Sequence, residues 1–317
     1  MKAAQITSYG DAVDVLRIND VDRPAPGAGE VLVRVEASSV NGHDVIVRSG
    51  EMKIVSGRRF PLGTGLDFAG VVTGSGTGVE GLRVGDRVWG TVHPRQRHTI
   101  GGAAEYVVVP ADRLAPAPAA LSAAEAASLV VAGATALIAV RDTVRLAPGE
   151  KVLVRGAAGG VGTAAVQLAH ALGCHVTALA RARHAPALTD LGADEVLDHG
   201  STTSDRIGPF DVVVDTVGTE LNCYRSRLAK GGRMVTVGLS APALAAIAAS
   251  SVYGARRVRT FSANPDATVL RALADHVTSG ALRPVVTSVY PLADIAAAHQ
   301  AFERGGVVGK HVVAVSE

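Results

Sequence analysis

The chain has 317 residues, is 48% hydrophobic but only 3% aromatic, and carries 31 basic against 29 acidic side chains. That length allows two domains or one large one, around a core built mainly of Ala, Val, Leu and Ile. A net charge of +2 gives no case for a nucleic-acid or membrane surface, and two cysteines, Cys174 and Cys223, make neither a disulfide framework nor a four-cysteine zinc site.

The first residues, MKAAQITSYG, hold one lysine and no apolar core, so no signal peptide is read there and a reducing cytoplasm is expected. Residues 1 to about 115 read as β-rich. Short runs at 31–40, 69–76, 84–90 and 104–110 are separated by Gly, Pro and Asp. The stretch 93-HPRQRHTIGG-102 reads as a polar surface loop, and its Arg95 and Arg97, like Arg256, Arg257 and Arg259 later, as solvated charge. Ser122 followed by Glu125 reads as a capping box. The apolar stretch 119–140 is interrupted by Ser122, Glu125 and Ser128, which predicts a buried helix and not a membrane span.

From residue 151 the pattern becomes strand–helix alternation. Strands are expected at 151–155, 175–180, within 192–199, at 211–218 and at 232–238, with helices from Val161 to about Leu172 and through Leu228. Near-continuous apolar strands between helices predict a parallel sheet covered on both faces. The last segment, 282–317, reads as strand, short helix, strand, returning to the first domain.

Between the first strand and helix of that region lies Gly156-Ala157-Ala158-Gly159-Gly160-Val161-Gly162. A pyrophosphate must approach backbone N–H groups at the positive end of a helix, which needs backbone without side chains. Gly159 permits that approach and Gly162 permits close helix–strand packing. Measured against G-x-G-x-x-G, the first glycine has become Ala157, so the motif draws its strength from its strand–turn–helix context. An NAD site usually places an acid at the end of the second strand. Here 177-TALARARH-184 offers Arg181 and Arg183, and guanidinium groups suit a 2′-phosphate, which favours NADPH.

Several longer stretches then point one way: 41-NGHDVIVRSG-50, 61-PLGTGLDFAG-70, 84-VGDRVWG-90, 104-AEYVVVPADRLAPAPAALS-122, 132-AGATA-136, 156-GAAGGVGTAAVQLA-169, 191-LGADEVLD-198, 231-GGRMVTVG-238 and 309-GKHVV-313. The whole chain resembles the zinc-free quinone oxidoreductases of the medium-chain dehydrogenase/reductase superfamily, the group that includes zeta-crystallin and related enoyl reductases. The resemblance implies an α/β protein: a GroES-like β-rich catalytic domain over 1–120 and 283–317, and a Rossmann doubly wound parallel-sheet domain over 121–282. It implies a homodimer joined through the sheet edge near 256–261 and a small-molecule substrate in the cleft between domains.

By the same resemblance, zinc relatives place ligands where this chain has Asn41, Leu66 and a residue near Val131. Leucine and valine cannot bind zinc and asparagine is a poor ligand, so no metal is expected. Without a Lewis acid to stabilise an alkoxide, reduction of a quinone or an activated C=C is favoured. The resemblance also implies that Asn41 and Thr135 lie at the nicotinamide side of the cleft, and that Gly238, Asn264 and Lys310 line the dinucleotide. The usual Pro after Asn is Gly42, followed by His43, and a substrate-contacting tyrosine is replaced by Ile46. The pocket is therefore expected to be more apolar at Ile46, with His43 as a candidate proton donor. Two other readings stay open: an enoyl-thioester or biosynthetic tailoring reductase, motivated by the altered 41–47 segment, and a non-catalytic NADPH-binding protein.

Overall fold

A computed structural model describes residues 1–53, 59–92, 100–238, 241–252 and 256–316. The polar loop read at 93–102 falls largely outside the described residues, and His93, Arg95, Arg97 and His98 lie there entirely. In chain order the strands are β1 (Lys2–Ile6), β2 (Leu16–Asp20), β3 (Glu30–Ser39), β4 (Leu62–Gly63), β5 (Asp67–Ser75), β6 (Arg87–Thr91), β7 (Tyr106–Pro110) and β8 (Leu114–Pro116). They continue as β9 (Lys151–Arg155), β10 (His175–Ala180), β11 (Glu195–Asp198), β12 (Phe210–Asp215), β13 (Leu228–Thr236), β14 (Val258–Arg259), β15 (Val286–Pro291) and β16 (Lys310–Ala314).

The ten-residue β3 organises the first unit. It pairs antiparallel with β5, β7 and β16, and the sheet runs β15-β16-β3-β5-β6-β8 with β7 on the other side of β3's N-terminal half. Val31, Val33 and Val35 alternate onto one face, where they meet Phe68, Val72 and Val88 in a fully buried cluster. A small second sheet, β2-β1-β4, closes one side. The C-terminal strands β15 and β16 thus share a sheet with β3, across nearly the whole length of the chain.

The 151–259 region forms a six-stranded, wholly parallel sheet in the order β11-β10-β9-β12-β13-β14. Numbered within the region, that is 3-2-1-4-5-6, the order of a doubly wound dinucleotide fold. Val152, Leu153 and Val154, and Val212, Val213 and Val214, are fully buried because helices cover both faces. The winding reverses between β9 and β12, and a crevice opens beyond their C-terminal ends. The helix expected to run through Leu228 is shorter, Leu221–Arg225. Ser226 Oγ caps back onto Cys223 O, and Arg227 O already accepts from Phe210 N, so the chain has joined the sheet by then.

The Ala123–Leu137 helix connects the two units. Ser122 and Glu125 form the capping box that starts it. Its small side chains Ala126, Ala127, Val130 and Ala134 share one core with Ala37, Ala69 and Trp89 of the first unit and with Val152, Val154 and Ala165 of the second. With the turn that follows it is long and apolar enough to cross a membrane by composition, yet most of it is buried inside the protein.

Candidate active site

The glycine loop joins β9 to the Gly160–Ala171 helix, whose cap is Gly159. Gly156 adopts φ +73°, and a Cβ there would stand 2.3 Å from Thr216 Oγ1. Gly162 packs on the turn itself: its Cβ would lie 2.3 Å from Gly156 O. Gly159 differs, because the nearest atom to its would-be Cβ is 3.6 Å away. Here the loop opens onto a cavity of about 440 Å³, within the usual range for a small-molecule site. Gly156, Ala158, Gly159 and Gly160 line it, while Ala157, Val161 and Gly162 do not; Ala157 and Gly162 are buried beneath the loop. On the far side Gly309 pairs with Gly159 and donates to Ala158 O at 2.8 Å, so the C-terminal segment of the first unit forms part of the cavity wall.

Strand β10 ends at Ala180, and the next residues carry the cations. Arg181 lines the cavity. Arg183 Nη2 donates to Gly306 O at 2.5 Å, and a Cβ on Gly306 would fall 2.5 Å from Arg181 Nη1 and 2.6 Å from Arg183 Nη2. Both guanidinium groups therefore converge on one backbone point at the cavity edge. His184 and His199 line the same end, and burial together with Arg183 and Arg181 holds the His184 imidazole below its ordinary pKa. Asp198, at the end of the neighbouring β11, accepts from Ala182 N at 3.1 Å.

The opposite unit presents a buried polar network at the start of the Gly42–Ser49 helix. Asn41 caps that helix in a reciprocal arrangement with Asp44. Its Nδ2 donates to Asp67 Oδ2 (3.0 Å) and Ser39 O (3.1 Å), and its Oδ1 accepts from Lys310 Nζ at 2.6 Å. Lys310 Nζ also donates to Val40 O at 2.6 Å, and the lysine stem passes Gly160, where a Cβ would stand 2.5 Å from its Cδ. Burial, then the Asp67 charge, lifts the Asp44 carboxyl to about 7, although the N–H groups of Asn41 and Gly65 donate to it. Burial raises Asp67 and lowers Lys310. Asp67 was not singled out from sequence; its signal is an acid inside the otherwise apolar 65-GLDFAG-70.

The remaining candidates divide. Thr135 is 5% exposed and its hydroxyl has no hydrogen-bond partner among the described residues, unlike Ser128, whose Oγ bonds back to Glu125 O. His43 is half-buried and burial lowers its pKa, so its imidazole is neutral at pH 7. Ile46 is half-buried on the same helix. Gly238 lies beyond the end of β13 with its backbone against Gly218. Asn264 accepts from Arg113 Nη1 at 2.6 Å, a contact between the two units. None of these, nor Asn41 or Lys310, lines the 440 Å³ cavity, which is walled by the glycine loop, the ends of the Rossmann strands and the 302–311 segment. Leu66 and Val131 offer no donor atom, and a buried ammonium already occupies Asn41 Oδ1. These three side chains do not make a zinc ligand set.

Family models match residues 27–119 as an alcohol dehydrogenase GroES-like domain and residues 191–313 as a zinc-binding dehydrogenase. The chain is 32% identical over 325 residues to a chloroplast envelope quinone oxidoreductase homolog of Arabidopsis thaliana, covering 99% of this chain and 98% of that one. It belongs to the quinone oxidoreductase family of the medium-chain dehydrogenase/reductase superfamily. The β-rich unit is accordingly the family's GroES-like domain and the parallel sheet its Rossmann domain, and the protein is an oxidoreductase working with a nicotinamide cofactor. A quinone oxidoreductase from Coxiella burnetii superposes with a TM-score of 0.90 at 30% identity, covering 100% of this chain and 99% of that one. A mycobacterial protein solved with NADPH (TM-score 0.84, covering 99% and 100%) and an NAD-dependent alcohol dehydrogenase (0.85, covering 100% of both) are each 30% identical. A mycocerosic acid synthase-like polyketide synthase of Mycobacterium tuberculosis is 38% identical over 243 residues, 74% of this chain but 11% of that much longer one.

Proposed function

We propose that this family member is a zinc-independent, NADPH-dependent reductase that delivers hydride to a quinone or an α,β-unsaturated carbonyl. The observation that carries the cofactor choice is the convergence of Arg181 and Arg183 at the cavity edge, where β10 ends without an acid. Two adjacent cations suit a 2′-phosphate, and β10 itself ends without the acid that would take ribose hydroxyls; the nearby Asp198 carboxylate is engaged by Ala182 N. The open backbone at Gly159 and the N-terminus of the Gly160–Ala171 helix would hold the pyrophosphate.

The cofactor, when bound, supplies the hydride. The chain's own residues do the rest. Thr135 offers a hydroxyl with no partner among the described residues, and Ile46 would make the substrate pocket more apolar. Asn41 has both amide atoms engaged, so it shapes the turn and leaves the substrate to its neighbours. Hydride plus one proton completes the reduction. The neutral His43 imidazole would pass that proton on from solvent rather than store it. Zinc independence rests on Leu66, Val131 and the Lys310-filled Asn41. The protein would act in the cytoplasm as a homodimer joined through β14, the edge strand of the Rossmann sheet.

The test is equilibrium binding and turnover of metal-free protein with NADPH and NADH. Arg181→Ala with Arg183→Ala should weaken NADPH by about 10- to 100-fold, the loss of one or two charge-assisted contacts, and leave NADH nearly unchanged. Equal losses for both cofactors would overturn the NADPH assignment. The match to a polyketide synthase favours a second reading, an enoyl-thioester reductase. A panel of quinones, simple enones and enoyl thioesters separates the two by which class turns over.

A further inference from the structure

We propose that Arg155 is a positioning residue of the dinucleotide site, holding the 216–220 turn in place as one wall of the cavity. The proposal rests on the reading that this cavity takes a dinucleotide. Arg155 ends β9 and is the register partner of Asp215, which ends β12. Those two strands flank the point where the winding reverses, the place at which such sheets bind ligands.

The guanidinium is used as a fork. Nη1 donates to Asp215 Oδ1 (2.9 Å) and to Thr219 O; Nη2 donates to Thr219 Oγ1 (2.9 Å) and Glu220 Oε2 (3.3 Å). Its Cζ stands 4.3 Å over the Tyr224 ring. Asp215 is fully buried; it holds the same turn by accepting from Gly218 N (2.8 Å) and anchors it to β13 by accepting from Thr236 Oγ1 (2.7 Å). Thr216 Oγ1 ties the start of the turn to Arg155 O at 2.9 Å. The turn needs such restraint, because Glu220 sits at φ +52°, a conformation that side chains rarely adopt.

What the turn presents explains why it is held. Val217, Glu220 and Tyr224 line the cavity together with Arg155, Arg181 and His184. Val217 is 47% exposed, an apolar side chain left open beside a polar loop. An ion pair serving only the fold would need one charge opposite Asp215. The fork instead spends three further contacts on Thr219 and Glu220, which a lysine could not make together.

Three proteins decide the matter: wild type, Arg155→Lys and Arg155→Met, each titrated with NADPH and NADH by fluorescence and melted without ligand. Arg155→Lys keeps a cation on Asp215 and should melt within about 3 °C of wild type, a change of roughly 1 kcal/mol. It should nevertheless bind both dinucleotides about tenfold more weakly, with their ratio unchanged and kcat at saturating cofactor within about twofold. Arg155→Met leaves Asp215 buried without a counter-charge and should lose both stability and binding. A stable Arg155→Lys that binds as wild type does would overturn the proposal alone. A change confined to NADPH would also overturn it, by placing Arg155 at the 2′-phosphate. Failure of the wild type to bind either dinucleotide would overturn the underlying reading and this proposal with it.

Discussion

At the scale of single residues, the glycine loop separates two demands that a motif merges. Gly162 answers to packing: a methyl there meets the backbone at Gly156 O (2.3 Å) and Ala157 Cα (2.7 Å), neither of which can swing aside. Gly162→Ala should therefore cost about 1–3 kcal/mol, as overpacking does, and lower the unfolding midpoint. Gly159 answers to the ligand, since a methyl there has 3.6 Å of clearance and ordinary φ. Gly159→Ala should cost no more than about 1 kcal/mol, the difference between glycine and alanine at a helix cap, yet weaken dinucleotide binding about tenfold. Melting and titration of both variants check this; equal effects of the two on stability would sink the division. The sequence could show that both glycines mattered. It could not show that Gly162 presses on the backbone of Gly156 and Ala157 while Gly159 has clearance, because that depends on how the loop folds back on itself.

At the scale of elements, legibility followed periodicity. The strands of the parallel sheet are continuous apolar runs, and the Ser122–Glu125 box announces its helix, so both could be read from local pattern. The Gly42–Ser49 helix was missed because Gly42 and the β-branched Val45, Ile46 and Val47 argue against helix; it is set instead by the buried Asn41–Asp44 capping box and its ties to Asp67 and Lys310. That buried cap makes the element sensitive to pH. Asp44 has a folded pKa of about 7 against its ordinary 3.8, with Asp67 and Lys310 as the charged groups that face it. Folding thus takes up a proton between these values, so the stability this group contributes is full below about pH 4 and is lost as pH rises through 7. Asp44→Asn, which stays neutral, should gain on wild type as pH goes from 5 to 8, read as a shift in urea midpoint. Midpoint curves that stay parallel across that range would show that Asp44 does not titrate there.

At the scale of the whole molecule, a two-unit chain would ordinarily be expected to unfold in two steps. This one is built against that. The Ala123–Leu137 helix has almost no solvent face, and its small side chains touch β3 and β5 on one side and the Rossmann helices on the other. Removing either unit would bare a stripe of Ala, Val and Leu along that helix, so neither unit can lose its packing without exposing the other's core. Further ties cross the same boundary: Lys310 beside Gly160, Arg113 on Asn264, Arg183 on Gly306. Calorimetry of the ligand-free protein should therefore show one transition with calorimetric and van't Hoff enthalpies in agreement. Residues 121–282 expressed alone should be molten, with weak near-ultraviolet circular dichroism and bound hydrophobic dye. Two resolved transitions, or a well-packed fragment, would mean that the connecting helix belongs to the Rossmann unit alone. The cleft would then be hinged at that helix, free to open without disturbing either core.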